Sequence, residues 1–257
     1  AIELAAARTT ALSLTELRDR LDDRFALLSG GRKVRRQRQQ TLQAMMDWSW
    51  ELLDPDQQRM LAELAVFPAT VGIDGVEAVC SRPNAGTVVD RLTELVERSL
   101  VVAERGEQTR YRLLVTVKLY AADRLAGSGA AAETRDRLTA WVWSFASVAA
   151  ADVPRRGEVF QRWWQLRERE ADNIMAALDW LTDQGNTARQ IDITAANQTL
   201  WLERDDLVGA IDRLRPILDP TPIEGLSDTA RLVAYATLAF LASIQSEAAL
   251  ATTAAQH

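Results

Sequence analysis

Histidine is all but missing from this sequence: of 257 residues only the last, His257, carries an imidazole. That excludes an internal histidine as general base, a Ser-His-Asp triad and imidazole-ligated zinc. Lysine is nearly as scarce, with only Lys33 and Lys118. A phosphate-cradling loop needs a Gly-rich turn followed by Gly-Lys-Ser/Thr. Lys33 stands between Arg32 and Val34, and Lys118 between Val117 and Leu119, so neither has that context. The single cysteine, Cys80, rules out an internal disulfide framework and a multi-cysteine metal site, and its setting beside Val76 and Val79 suits a buried structural thiol. Positive charge is not in excess either, since 30 Lys and Arg face 36 Asp and Glu for a net −6. Nothing therefore draws the whole molecule onto phosphate or anionic lipid, and a nucleic-acid contact needs a local patch. The longest nearly uncharged stretches, Thr139–Ala151 and Leu232–Ile244, fall short of the ~20 residues of a membrane span. The carboxylate pairs Asp22-Asp23, Asp205-Asp206 and Glu168 with Glu170 are read as solvated faces or caps, because adjacent helical residues point about 100° apart. The expectation is a chain that is no enzyme and holds no metal or cofactor. Ala1-Ile2-Glu3-Leu4 has neither an initiator methionine nor the basic and apolar regions of a signal peptide, so a cytoplasmic chain cut from a longer one is expected.

What is present is helical. With 47% hydrophobic and 26% charged residues the chain can bury a core in one large domain or two to three small ones. Ser13-Leu14-Thr15-Glu16 forms a capping box, and Leu14, Leu17, Leu21, Phe25 and Leu28 line one helical face up to the stop at Gly30-Gly31. The basic run Arg32, Lys33, Arg35, Arg36 and Arg38 then reads either as a solvated linker or as a weak phosphate patch. Gln40–Leu53 is a helix carrying Leu42, Met45, Met46, Trp48 and Trp50. Asp54-Pro55-Asp56-Gln57 starts the next, because Asp caps free amides and Pro loses nothing at the first helical position.

Met60, Leu61, Leu64 and Phe67 line that helix up to Pro68, and helices over Asp74–Cys80 and Thr87–Arg98 follow. The period then changes to two. Leu100–Ala103 and Arg110–Leu113 are strand-like and flank a polar segment with Gly106, which predicts a β-hairpin. Thr116–Leu125 returns to helical spacing, so three helices, a two-stranded wing and a closing helix make a winged-helix module. Beyond Gly127-Ser128-Gly129 only helices are predicted: Glu133–Ala151, Glu158–Leu181, Ile191–Trp201, Leu207–Leu218 and Asp228–Ala255. Paired helices of this length suggest an α-solenoid.

The succession of residues also resembles a known arrangement. Ala1-Ile2-Glu3-Leu4-Ala5-Ala6-Ala7-Arg8, Arg18-Asp19-Arg20-Leu21 with Phe25, and Leu28-Ser29-Gly30-Gly31 resemble the lid helices of the NB-ARC-like module of bacterial signal-transduction (STAND) ATPases. Gln40-Thr41-Leu42, Asp47-Trp48-Ser49, Leu52-Leu53-Asp54-Pro55, Leu64-Ala65-Val66-Phe67, Ser99-Leu100-Val101 and Tyr111-Arg112-Leu113-Leu114 continue the likeness. Ala171-Asp172-Asn173 and Ala176-Ala177-Leu178-Asp179-Trp180 are similar to the first helices of a TPR-like region. The resemblance implies a mainly α chain with a lid fragment over 1–36, a winged-helix domain over 37–126 and a TPR-like domain over 127–257. Actinobacterial transcription regulators of the LuxR or SARP type share this plan, some with a cyclase domain. It further implies that ATP or ADP and Mg bind in a parent protein, upstream of this chain. In that family a Met-His-Asp motif at the end of the wing brings its His to the β-phosphate of ADP. The matching positions here are Leu113, Leu114 and Val115, and none can donate a hydrogen bond from its side chain.

The function expected is a non-catalytic relay that couples nucleotide or partner state to an effector domain by rearranging packed helical modules. Its partners are the parent's other domains and proteins bound by the helical repeats, with DNA reached only through a separate effector. Trp163, Trp164 and Trp201 are the candidate exposed aromatics of a partner surface. The alternative is that the winged helix binds DNA itself. Against this, the Thr87–Arg98 helix carries Asp90, Glu94 and Glu97 against Arg91 and Arg98, where readers of DNA present donors and positive charge.

Overall fold

The computed structural model describes residues 43–81, 87–148, 158–245 and 253–255. The predicted lid over 1–36 and the basic run Arg32–Arg38 lie outside the described residues. The chain forms two compact units, Ala1–Gln58 and Arg59–His257.

In the first unit, helix α1 covers 43–51, and α2 (Pro55–Glu63) begins at its end and runs on into the second unit. The start of α2 is the reciprocal cap that its sequence predicts. Asp54 Oδ1 accepts from the amides of Asp56 and Gln57, both at 2.9 Å, and Gln57 Oε1 accepts from the Asp54 amide at 3.0 Å.

The second unit carries most of the winged helix. After a 3-10 turn at Leu64–Val66 come α3 (Ile73–Cys80) and α4 (Val88–Glu97). The latter is capped by Thr87, whose hydroxyl accepts from the Asp90 amide at 3.1 Å, and it buries Val88, Leu92 and Leu95 at helical spacing. Ser99 takes a left-handed conformation (φ 61°) that turns the chain out of α4 into strand β1 (Val101–Glu104). Strand β1 pairs antiparallel with β2 (Arg110–Leu113), Val101 opposite Leu113 and Glu104 opposite Arg110. On the other edge of β2, Val71 exchanges two backbone hydrogen bonds with Tyr111, at 2.9 and 2.8 Å. Helix α5 (Val115–Gly127) closes the module and buries Val117, Tyr120, Ala121 and Leu125.

Helices α6 (Ala131–Ala146), α7 (Glu158–Arg169), α8 (Ala171–Asp183), α9 (Thr187–Ala196), α10 (Gln198–Glu203), α11 (Leu207–Leu214) and α12 (Asp228–Ile244) follow. Helix α8 packs between α6 and α9, and α9 packs in turn on α11 and α12. Several predicted helices are broken in two. Glu158–Leu181 divides at Glu170, whose carboxylate is held by the wing. Ile191–Trp201 divides at Asn197, whose side-chain amide donates to the carbonyls of Ala146 (2.9 Å) and Ile193. Leu207–Leu218 tightens into a 3-10 turn at Arg215–Leu218, where Pro216 has no amide for an α-helical bond. The helix predicted over Asp228–Ala255 ends at Ile244. Among the described residues no helix is long and apolar enough to cross a membrane.

Candidate functional site

A set of buried polar contacts lies where the winged helix meets the helices behind it. Its apolar part is Trp141 of α6. The indole packs edge-on against Phe67, with ring centroids 6.1 Å apart, and against Phe145 at 5.1 Å. It fits because α3 offers Gly75: a Cβ there would lie 2.8 Å from the indole and 2.5 Å from a Val71 methyl.

Two buried carboxylates, each held by an arginine from the other side, fix this junction. Glu63, only 1% exposed, ends α2 and accepts from Arg137 Nη2 of α6 at 2.8 Å. The same guanidinium donates from Nε to the carbonyl of Val79, at 2.7 Å, and from Nη1 to Glu133. In the second clamp the signs are exchanged between the modules. Arg110 on β2 reaches Glu170, also 1% exposed, at the α7–α8 corner. Arg110 also donates to the Thr70 hydroxyl (2.7 Å), the Thr70 carbonyl (2.9 Å) and the Arg169 carbonyl (3.3 Å). Asn173 joins both sides by donating to the Thr70 carbonyl, at 3.1 Å, and to Glu170. Arg169 meets the tip of the wing, 3.1 Å from Glu107 and 3.0 Å from Gln108. Removing one partner of a buried ion pair strands the other and costs about 3–5 kcal/mol. Both clamps therefore resist separation of the modules.

Helix α7 is anchored by Arg167, 4% exposed, which donates to the carbonyls of Phe145 (3.2 Å) and Ser147 (3.4 Å) at the end of α6 and of Ala196 at the end of α9. Its cation thus meets the negative ends of two helices. Burial pushes its pKa down to about 9, which leaves it charged at neutral pH. The guanidinium lies 3.4 Å over the ring of Trp163.

These contacts place the candidate partner tryptophans. Trp163 and Trp164 are half-buried along α7. Trp201, expected on an exposed surface, is instead fully buried, its indole donating 2.8 Å to the Thr194 carbonyl. The break at Asn197 starts the short α10 that carries it, and its ring fills the interior beneath Arg213. At the end of the wing Leu113 is buried, whereas Leu114 and Val115 are exposed. The outer face of α4 exposes Val89, Asp90, Thr93, Glu94 and Glu97. On the wing, Arg110 is held by Glu170 and Arg112 by Glu104. An open groove of about 590 Å³ runs beside α8, α9 and α11, lined by Asp179, Asp183, Asp212 and Arg213 among others. Among the described residues no group of three or more His, Cys, Asp or Glu is placed to hold a metal ion. Cys80 is buried. Glu170, expected with Glu168 to be a solvated face or cap, is instead buried against Arg110, and the pairings of Arg110 with Glu170 and of Arg137 with Glu63 have no local signal, since no spacing links residues 60 or 74 positions apart.

Residues 53–126 match the family described as "Winged helix-turn-helix domain". A Mycobacterium tuberculosis protein named "Putative HTH-type transcriptional regulator" is 38% identical over 225 residues, 85% of this chain and 25% of its own length. A Mycobacterium bovis protein of the same description has the same identity and coverage. An uncharacterized M. tuberculosis protein is 39% identical over 135 residues, 51% of this chain and 34% of its own. The chain thus spans about a quarter of the length of the first relatives. No solved structure matches it.

Proposed function

We propose that this chain is a non-catalytic relay segment of a transcription regulator, in which the winged helix and the helices behind it move as one piece. The observation that carries this reading is the pair of reciprocal buried clamps, Arg137 with Glu63 and Arg110 with Glu170. A winged helix free to dock and undock on its own would not bury two charges against its neighbour, because separation would leave both uncompensated. A displacement at either module is therefore handed to the other as a rigid-body movement. The names of the mycobacterial relatives support the regulatory setting.

In the finer form of this proposal the parent is a STAND-type ATPase with a lid over 1–36, a winged helix over 37–126 and a TPR-like region from 127. ATP or ADP and Mg bind upstream, and nucleotide state reaches this segment by packing, since Leu114 offers phosphate no side-chain donor. Protein partners meet the helical region, with Trp163 and Trp164 of α7 as candidate contacts, and the setting is cytoplasmic.

The second reading, that the winged helix binds DNA itself, is favoured by the domain family that residues 53–126 match. Reporter transcription by the full-length parent separates the two. Under the relay reading Glu170→Gln uncouples signal from output while DNA binding by the effector is unchanged. Loss of sequence-selective DNA binding on Arg91→Ala would support the second reading instead.

A further inference from the structure

The buried face of α5 holds it in the winged helix, but the opposite face is apolar too. Val115 is 51% exposed and Leu119 47%, and Ala122 and Ala126 are exposed beyond them. These four residues recur at intervals of four, three and four, the spacing of a seam between two side-by-side helices. Two charges flank it. Lys118 makes one hydrogen bond, 2.6 Å to the Pro68 carbonyl, and Asp123 is exposed; neither has an ion-pair partner among the described residues. Burial without a carboxylate pushes the Lys118 pKa below the usual lysine range.

We propose that this face of α5 is a self-association surface whose occupant is α5 of a second copy of this chain, lying parallel to the first across a two-fold axis. In that register Val115, Leu119, Ala122 and Ala126 each meet their counterpart. A residue just before one seam position then faces the residue five places further along the other helix. That rule puts Lys118 of each copy against Asp123 of the other, twice by symmetry. The antiparallel alternative sets lysine beside lysine and aspartate beside aspartate. The two alanines let the helices approach closely at the C-terminal end, and α5 is already folded, so no helix has to be nucleated on association. A 13-residue helix makes less than a standard interface of about 1,600 Å², so the dimer forms weakly and reversibly.

Sedimentation equilibrium of the 257-residue chain from roughly 1 to 500 µM tests this. The expected mass rises from 28.5 kDa toward twice that value and returns on dilution. Leu119→Glu abolishes the rise, with circular dichroism unchanged because the side chain is exposed. Lys118→Glu and Asp123→Lys each weaken association alone, and an equimolar mixture of the two recovers it, since opposite signs then meet across the seam. Leu119→Cys gives a disulfide-linked dimer on oxidation, Cys80 being buried. A mass constant at 28.5 kDa, variants that associate like the parent chain, or association without cross-linking through position 119 would each overturn the proposal.

Discussion

The guanidinium of Arg110 lies 2.5 Å from the carboxylate of Glu170, sixty residues further along the chain, and the two belong to different modules. Because Glu170 is almost wholly buried, Arg110→Met leaves its charge stranded and is expected to destabilise the chain by about 3–5 kcal/mol. Combining Arg110→Met with Glu170→Leu recovers a large part of that loss, since no uncompensated charge remains. Urea unfolding of the two single variants and the double variant measures the coupling, and strictly additive losses would contradict the clamp.

Gly75→Ala is expected to cost about 1–3 kcal/mol, because the added methyl meets the Trp141 indole and the Val71 methyl in a filled interior. Trimming the ring by Trp141→Leu makes room for it. The alanine should then cost less in that background than in the native one, as read from urea midpoints.

Arg167→Met removes the donor shared by the ends of α6 and α9 and leaves the carbonyls of Phe145, Ser147 and Ala196 short of a partner. A loss of at least about 2–3 kcal/mol is expected. Hydrogen exchange should show it as faster exchange at the ends of those two helices. Arg167→Lys, which keeps charge but not the planar fork, rescues only partly.

The isolated chain is expected to bind ADP no tighter than about 1 mM, since neither lysine stands in a phosphate loop and Leu114 cannot donate to phosphate. Calorimetric titration with Mg and ADP checks this, and a micromolar dissociation constant would sink the idea.

Under the relay reading, fluorescence anisotropy at about 150 mM salt against a pool of promoter fragments gives no sequence-selective binding tighter than about 1 µM. The outer face of α4 is acidic, and two of the wing's arginines are already held by Glu104 and Glu170. Selective binding lost on Arg91→Ala would transfer the function to the winged helix.

Helix starts and the wing were readable from local residues. The Asp54–Gln57 cap and the strands flanking Gly106 depend on neighbours within a few positions. The breaks at Glu170 and Asn197 were not, because both are caused by tertiary hydrogen bonds that compete with a continuing apolar stripe. The same limit hid the junction. Arg110 and Arg137 carry no local sign of a partner until folding brings Glu170 and Glu63 beside them. Trp201 misled for the converse reason: aromatic character says nothing of whether a short helix is turned inward.

The long separation between Arg110 and Glu170 also sets an order of events during synthesis. At about 5–20 residues per second, the wing leaves the ribosome roughly 3–12 s before the corner that receives it. Through that interval Arg110 and the Thr70 carbonyl must remain hydrated, and the winged helix exists only as a provisional structure. Its final form is reached when α7 and α8 emerge, so translational pauses between residues 110 and 173 lengthen the time the nascent chain is open to chaperones or misassembly.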